Sequence, residues 1–127
     1  MFEPGMKGTA VCTVEKSNTA AAVGSGLLPV FSTPSMIALM ECAACDAIKD
    51  ALEEGMTSVG TKLEITHDAA TPMGMEVRAE AELTKAEGRH LYFKVAAFDG
   101  KDQIGQGLHE RFVVNAERFL QKTNQKR

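Results

Sequence analysis

The sequence predicts an α+β fold in which an antiparallel sheet wraps around one long central helix. Three observations carry this. One long apolar run with helical spacing lies between Thr33 and Leu52, a β-leaning segment precedes it, and four strand-like segments follow it through short turns. A sheet with one solvated face must cover the other, and the one long apolar helix is the obvious cover.

The elements follow in order. Lys7–Lys16 (KGTAVCTVEK) is β-leaning, with Ala10, Cys12 and Val14 on one face. The next stretch, SNTAAAVGSGLLPVFSTP, reads as loop punctuated by Gly24, Gly26, Pro29 and Pro34. It is long for a connection in a compact domain, and such loops are often functional. Pro34 fits the first position of the helix, where its missing N–H costs nothing, which makes Thr33 the N-cap. Apolar positions 36, 37, 40, 44, 48, 51 and 52 keep helical spacing, charges gather late, and Gly55 is placed to stop the helix. The first half is apolar nearly all round, which implies burial on most sides.

Four strands are then expected. Ser58–His67 is the first. Met75–Lys85 alternates cleanly, with Met75, Val77, Ala79, Ala81 and Leu83 inward and Glu76, Arg78, Glu80 and Glu82 outward. Leu91–Phe98 follows an EGR turn, and Leu91, Phe93, Val95 and Ala97 share a face. Asp99–Gly100 is a hairpin signal before the long strand Gln103–Val114. A short helix, Ala116–Gln121, ends the chain. This order of strand, long helix and antiparallel meander is that of the hotdog fold, which periodicity alone does not separate from other α+β sandwiches.

With 127 residues, 44% of them hydrophobic, the chain suits one domain spanning residues 1–127 with a real core. The net charge of −3, with both signs spread along the chain, leaves no nucleic-acid footprint. No apolar run reaches the roughly 20 residues of a membrane span, and the N-terminus lacks a signal-peptide core. Three cysteines, Cys12, Cys42 and Cys45, form no disulfide framework and point to the cytoplasm. The CAAC spacing of Cys42 and Cys45 lies mid-helix without a second Cys/His pair, so no metal site is expected. Buried cysteines there would act as small hydrophobes.

Several side chains could do chemistry. Glu41 is the one charge in MIALMECAAC. Burial there would raise its pKa and offer an acid or base near neutral pH, whereas a surface position would make it an ordinary helix carboxylate. Thr33 at the helix start could meet an oxyanion alongside free backbone N–H groups, or serve as a simple cap. His67 ends a strand and could orient water or polarise a carbonyl, or sit as a surface histidine. Gly105, Gly107, His109 and Arg111 share one strand face. The glycines would permit close approach of a helix or ligand, and Arg111 could anchor an anion or pair with an acid such as Glu41.

Together these residues resemble the fluoroacetyl-CoA thioesterase-like family of hotdog proteins over nearly the whole chain. STPSMIALMECAAC is similar to its block in which a threonine precedes a helical LME glutamate by eight residues, SVGTKLEITHDAATPMG to its G-T…V-x-H-x-A-A-T-P-x-G block, and IGQGLHERFVV to its IGxGxHxR strand. The resemblance implies hydrolysis of a small or medium acyl-CoA thioester with Thr33, Glu41 and His67 as the catalytic set. It also implies that the Gly60 N–H donates to the thioester carbonyl, that Arg111 and Phe31 contribute to substrate binding, and that no metal or cofactor beyond the CoA of the substrate is used. It implies a homodimer, with the acyl pocket at the subunit interface. One region departs. The family's lid before the threonine is longer and aromatic-rich, whereas here it is AAAVGSGLLPVF, with Phe31 its only aromatic, which leaves the acyl group itself open. The alternative to an enzyme is a non-catalytic hotdog dimer that binds an acyl group or another small ligand.

Overall fold

The computed structural model describes all 127 residues as five strands and three helices. The strands are β1 (Lys7–Thr13), β2 (Met56–His67), β3 (Glu76–Glu87), β4 (His90–Phe98) and β5 (Gln103–Asn115). They form one antiparallel sheet in the order β1-β3-β4-β5-β2. Helix α2 (Thr33–Ile48) lies in its concave face, while α1 (Ala20–Val23) and α3 (Ala116–Asn124) are short and peripheral. This is the expected hotdog architecture.

The sheet and helix meet through the residues that alternation selected. Val77, Ala79, Ala81 and Leu83 of β3, with Leu91, Phe93, Val95 and Ala97 of β4, are buried against Met36, Met40, Ala43, Ala44 and Ile48 of α2. Glycines set the close approaches. A Cβ at Gly8 would strike the α2 backbone at Ala43 and Ala47, and one at Gly105 would lie 2.6 Å from the Met36 sulfur. Helix α2 packs mainly on β1 and β3 and barely touches β2. The inner face of β2 is therefore the part of the sheet that α2 covers least, and the candidate site lies where it meets β5.

The local details differ from expectation in four places. Ser32, not Thr33, is the N-cap of α2: its hydroxyl accepts from the Ser35 N–H at 3.1 Å, and Thr33 is already helical. The helix runs into a 3₁₀ turn at Lys49–Ala51 before Gly55, at φ 82°, turns the chain into β2. Burial does not surround its first half, since Pro34 and Ala38 are exposed. The loop before α2 is partly regular, with a 3₁₀ turn at Lys16–Asn18, the one-turn α1 capped by Thr19, and short bridges Thr19–Phe31 and Val30–Pro72. The hairpin at Asp99–Gly100 closes between Phe98 and Gln103, the strand ends that the sequence predicts. Asp99 Oδ1 accepts from the Lys101 and Asp102 N–H groups, and its Oδ2 accepts from Thr71 at 2.8 Å, tying the hairpin to the segment after His67.

One irregularity matters for function. The pairing of β2 with β5 shifts between Gly60 and Lys62, so that Thr61 is a bulge. Gly60 pairs with Arg111, Leu63 with His109 and His67 with Gly105. Residues directly opposite share a face. Gly60 and His67, seven apart, would face opposite sides in a regular strand. The bulge brings both onto the inner face.

Candidate active site

Two clusters of polar side chains occupy this part of the inner face. The first joins the start of α2 to the end of β2. Because Ser32 caps the helix, the Thr33 hydroxyl is free of that task and lies 2.7 Å from His67 Nδ1. The other ring nitrogen, His67 Nε2, is buried and is the one buried side-chain nitrogen or oxygen without a hydrogen-bond partner. Such an atom costs free energy unless something binds it. Both residues line a cavity of about 240 Å³ whose apolar wall includes Ala20, Val30, Phe31 and Ala69. Phe31 is 1% exposed and fixed by its N–H to the Thr71 carbonyl, so the wall is rigid at that point. The neighbouring Val23, Leu27 and Leu28 are exposed.

The second cluster surrounds Arg111. This buried guanidinium donates through Nε to Ser58 Oγ at 2.8 Å and through Nη2 to the Ser58 carbonyl at 3.0 Å. Its Nη1 donates to His109 Nε2 at 3.1 Å and to Glu41 Oε2 at 3.3 Å. Of the two readings open from sequence, anion anchor or partner of Glu41, the contacts are those of the second. Glu41 is half-buried rather than enclosed, its side chain 34% exposed. It lies against Gly60, where a Cβ would come within 2.6 Å of Oε2. Only a glycine lets that carboxylate rest on the strand backbone.

His109 is wholly buried, and burial pushes its imidazole below the ordinary histidine range. The Lys62 carbonyl opposes that shift, Arg111 reinforces it, and Glu41 and Glu110 oppose it. Its role and that of Ser58 were not legible in the sequence. His109 shared the strand face of Arg111, which was a signal, whereas Ser58 offered none.

The expected threesome is not assembled within one chain. Thr33 and His67 are bonded to each other, and Glu41 is bonded to neither. Eight residues of one helix separate Thr33 from Glu41, about 12 Å along its axis. The cysteines are unpaired, and Cys42 and Cys45 are exposed rather than buried hydrophobes. No group of three or more His, Cys, Asp or Glu side chains converges as metal ligands would. A concavity of about 590 Å³ lies on the outer sheet face around Lys7, Glu80, Glu82 and Lys94, and contains none of these site residues. No helix is long and apolar enough to cross a membrane.

Comparison with known proteins identifies the chain's relatives. The sequence model of the family described as FlK, fluoroacetyl-CoA-specific thioesterase, matches residues 14–117. The chain is 48% identical over 97 residues to the fluoroacetyl-CoA thioesterase of Streptantibioticus cattleyicolor, covering 76% of this chain and 70% of that one. Its fold superposes on the structure of the fluoroacetyl-CoA thioesterase FlK with a TM-score of 0.94 at 38% identity, covering 100% of this chain and 98% of the other. A phenylalanine-to-alanine mutant of FlK, solved with fluoroacetate and CoA, matches with a TM-score of 0.87 at 39% identity, over 93% of this chain and 99% of the other.

Proposed function

The chain belongs to the family of fluoroacetyl-CoA-specific thioesterases, and from that membership we propose that it hydrolyses a small or medium acyl-CoA thioester to the free acid and CoA. The acyl group occupies the pocket beside Phe31, and the Gly60 N–H donates to the thioester oxygen. Negative charge develops on that oxygen as the carbonyl carbon is attacked, and a fixed donor there lowers the barrier. Glu41 either takes the proton of the attacking water or attacks the carbonyl itself, leaving an anhydride that water opens. Either route consumes one water, breaks the C–S bond and leaves a proton on the CoA sulfur. His67, held by Thr33 through Nδ1, bonds the acyl group or the water through Nε2. CoA is part of the substrate, and the reaction calls on no further cofactor or metal.

The observation that carries this reading is His67: one ring nitrogen is held by Thr33, the other is buried without a partner, and the residue lines a cavity with apolar walls. The complexes of FlK with CoA and with acetyl-CoA support an acyl-CoA substrate.

The working unit is a homodimer. Strand β2 is a twelve-residue free edge, and Leu63 on its inner face is 38% exposed. A long bare edge of this kind is a template for pairing. Gly60 lies toward its N-terminal end and His67 at its C-terminal end. Antiparallel pairing of two β2 edges would bring the Glu41 cluster of one copy toward the Thr33–His67 pair of the other, closing the acyl pocket at the interface. The three unpaired thiols suit a reducing compartment such as the cytoplasm.

A panel of acyl-CoA esters of increasing chain length, read by free thiol, tests the activity. Turnover of at least one short or medium ester is expected. Binding of the esters without thiol release would identify a non-catalytic acyl-binding protein instead.

A further inference from the structure

We infer that His109 is a positioning residue: as a neutral Nδ1–H imidazole it locks Arg111 to the β2 bulge and thereby holds Glu41 against Gly60. The inference rests on the proposed role of Glu41 and extends it to a residue that does not touch the substrate.

The tautomer follows from the partners. His109 Nδ1 lies 2.8 Å from the Lys62 carbonyl oxygen, which can only accept, so Nδ1 carries a proton. Nε2 lies 3.1 Å from Arg111 Nη1, and a guanidinium can only donate, so Nε2 carries none. The ring is buried and leaves no route by which either bond could be exchanged for water. It also stacks beside Phe93, with ring centroids 5.9 Å apart, which fixes its plane.

The arrangement links three features that are remote in sequence. The bulge at Thr61 resets the phase of β2 immediately before Lys62, and it is the Lys62 carbonyl that His109 holds. Through Nε2, His109 orients the same Nη1 that donates to Glu41, while Ser58 holds the other side of the guanidinium. Arg111 therefore has one rotational setting, and Glu41 receives its cation from one direction. Without the acceptor at Nε2, the guanidinium is held by Ser58 along one edge alone, and its Nη1 end has only the long 3.3 Å bond to Glu41 against a tilt about that edge. A guanidinium free to tilt takes the carboxylate with it.

The test has two parts. Long-range proton–nitrogen NMR of the unliganded wild-type protein at neutral pH should show His109 as the neutral Nδ1–H tautomer. An Nε2–H tautomer or an imidazolium would overturn the inference whatever Glu41 does. In the second part, His109→Leu removes both bonds, whereas His109→Gln restores an acceptor near the Nε2 position. For the Leu variant, kcat should fall by about 10- to 100-fold, the scale of a displaced catalytic group, with KM little changed because the acyl pocket is elsewhere. The Gln variant should keep a clearly higher kcat than Leu. If Leu fails to fold, the NMR result still decides. A folded Leu variant with wild-type kcat, or a Gln variant no better than Leu, would refute the role. Wild-type turnover in Glu41→Gln would remove the underlying mechanism while leaving the tautomer result standing, so the two failures are distinguishable.

Discussion

Gly60→Ala should separate stability from activity. The glycine is not needed for its backbone, because the glycines at positive φ are Gly5, Gly24, Gly55, Gly74 and Gly88. An alanine fits the strand conformation and removes freedom from the unfolded chain, worth about 0.4–1 kcal/mol in favour of folding. The new methyl group would lie 2.6 Å from Glu41 Oε2 and 3.4 Å from both Arg111 Nη1 and His109 Cε1. The carboxylate is the movable party, since it ends a flexible side chain that is 34% exposed. It must retreat by about 0.4 Å or more to reach the 3.0 Å that real Cβ contacts respect. Its bond to Arg111 is already 3.3 Å, so this retreat breaks it. Displacing a catalytic carboxylate on this scale costs up to about 100-fold in rate. A thermal melt beside an acyl-CoA hydrolysis assay reads both quantities. The expected result is an unchanged or raised Tm with kcat reduced by one to two orders of magnitude. Wild-type kcat in a folded Gly60→Ala protein would show that the contact between Glu41 and the strand is not used.

The capping geometry predicts that Ser32→Ala loses about 1 kcal/mol of stability. Thr33→Ala should lose turnover with a stability change within about 0.5 kcal/mol; the reverse pattern in denaturant melts would return the cap to Thr33. Sedimentation at micromolar concentration should find a dimer, and a Pro substitution at Leu63 should dissociate it; a stable active monomer would contradict a shared site. The pH dependence of stability has a definite sign. Burial holds His109 below its ordinary value of about 6.5, so below that pH the unfolded chain binds a proton that the folded chain refuses. Stability is then complete above about pH 6.5 and falls as pH drops through it. Urea melts should show a shallower fall for His109→Gln than for the wild type, and equal slopes would refute the assignment.

The parts of the fold that were readable from sequence are those governed by periodicity. β3 and β4 alternate without interruption over their buried residues, and the structure buries Val77, Ala79, Leu83, Leu91 and Phe93 as the pattern requires. The N-cap was misplaced by one residue because Ser32 and Thr33 are both good caps and only the backbone distinguishes them. That error concealed what Thr33 is free to do. The bulge at Thr61 had no compositional signal, yet it decides that Gly60 and His67 share a face. Glu41 stands out in the sequence for its isolation among apolar residues, but its surroundings differ from those expected. It is not sealed in an apolar pocket: it rests on a glycine and faces a buried arginine contributed by a strand 70 residues away. Such long-range pairs leave no local pattern.

The most direct test of the account is Glu41→Gln. The two side chains are nearly isosteric, and glutamine can still accept from Arg111 Nη1, so the fold and the surrounding contacts should persist. The variant cannot accept a proton from water and is a poor nucleophile. Steady-state hydrolysis of the best acyl-CoA ester, followed by free thiol, should fall by about 100-fold or more, the usual scale for losing a general base, with the melting temperature close to that of the wild type. A folded Glu41→Gln protein that hydrolyses the ester at the wild-type rate would make Glu41 structural and contradict the mechanism.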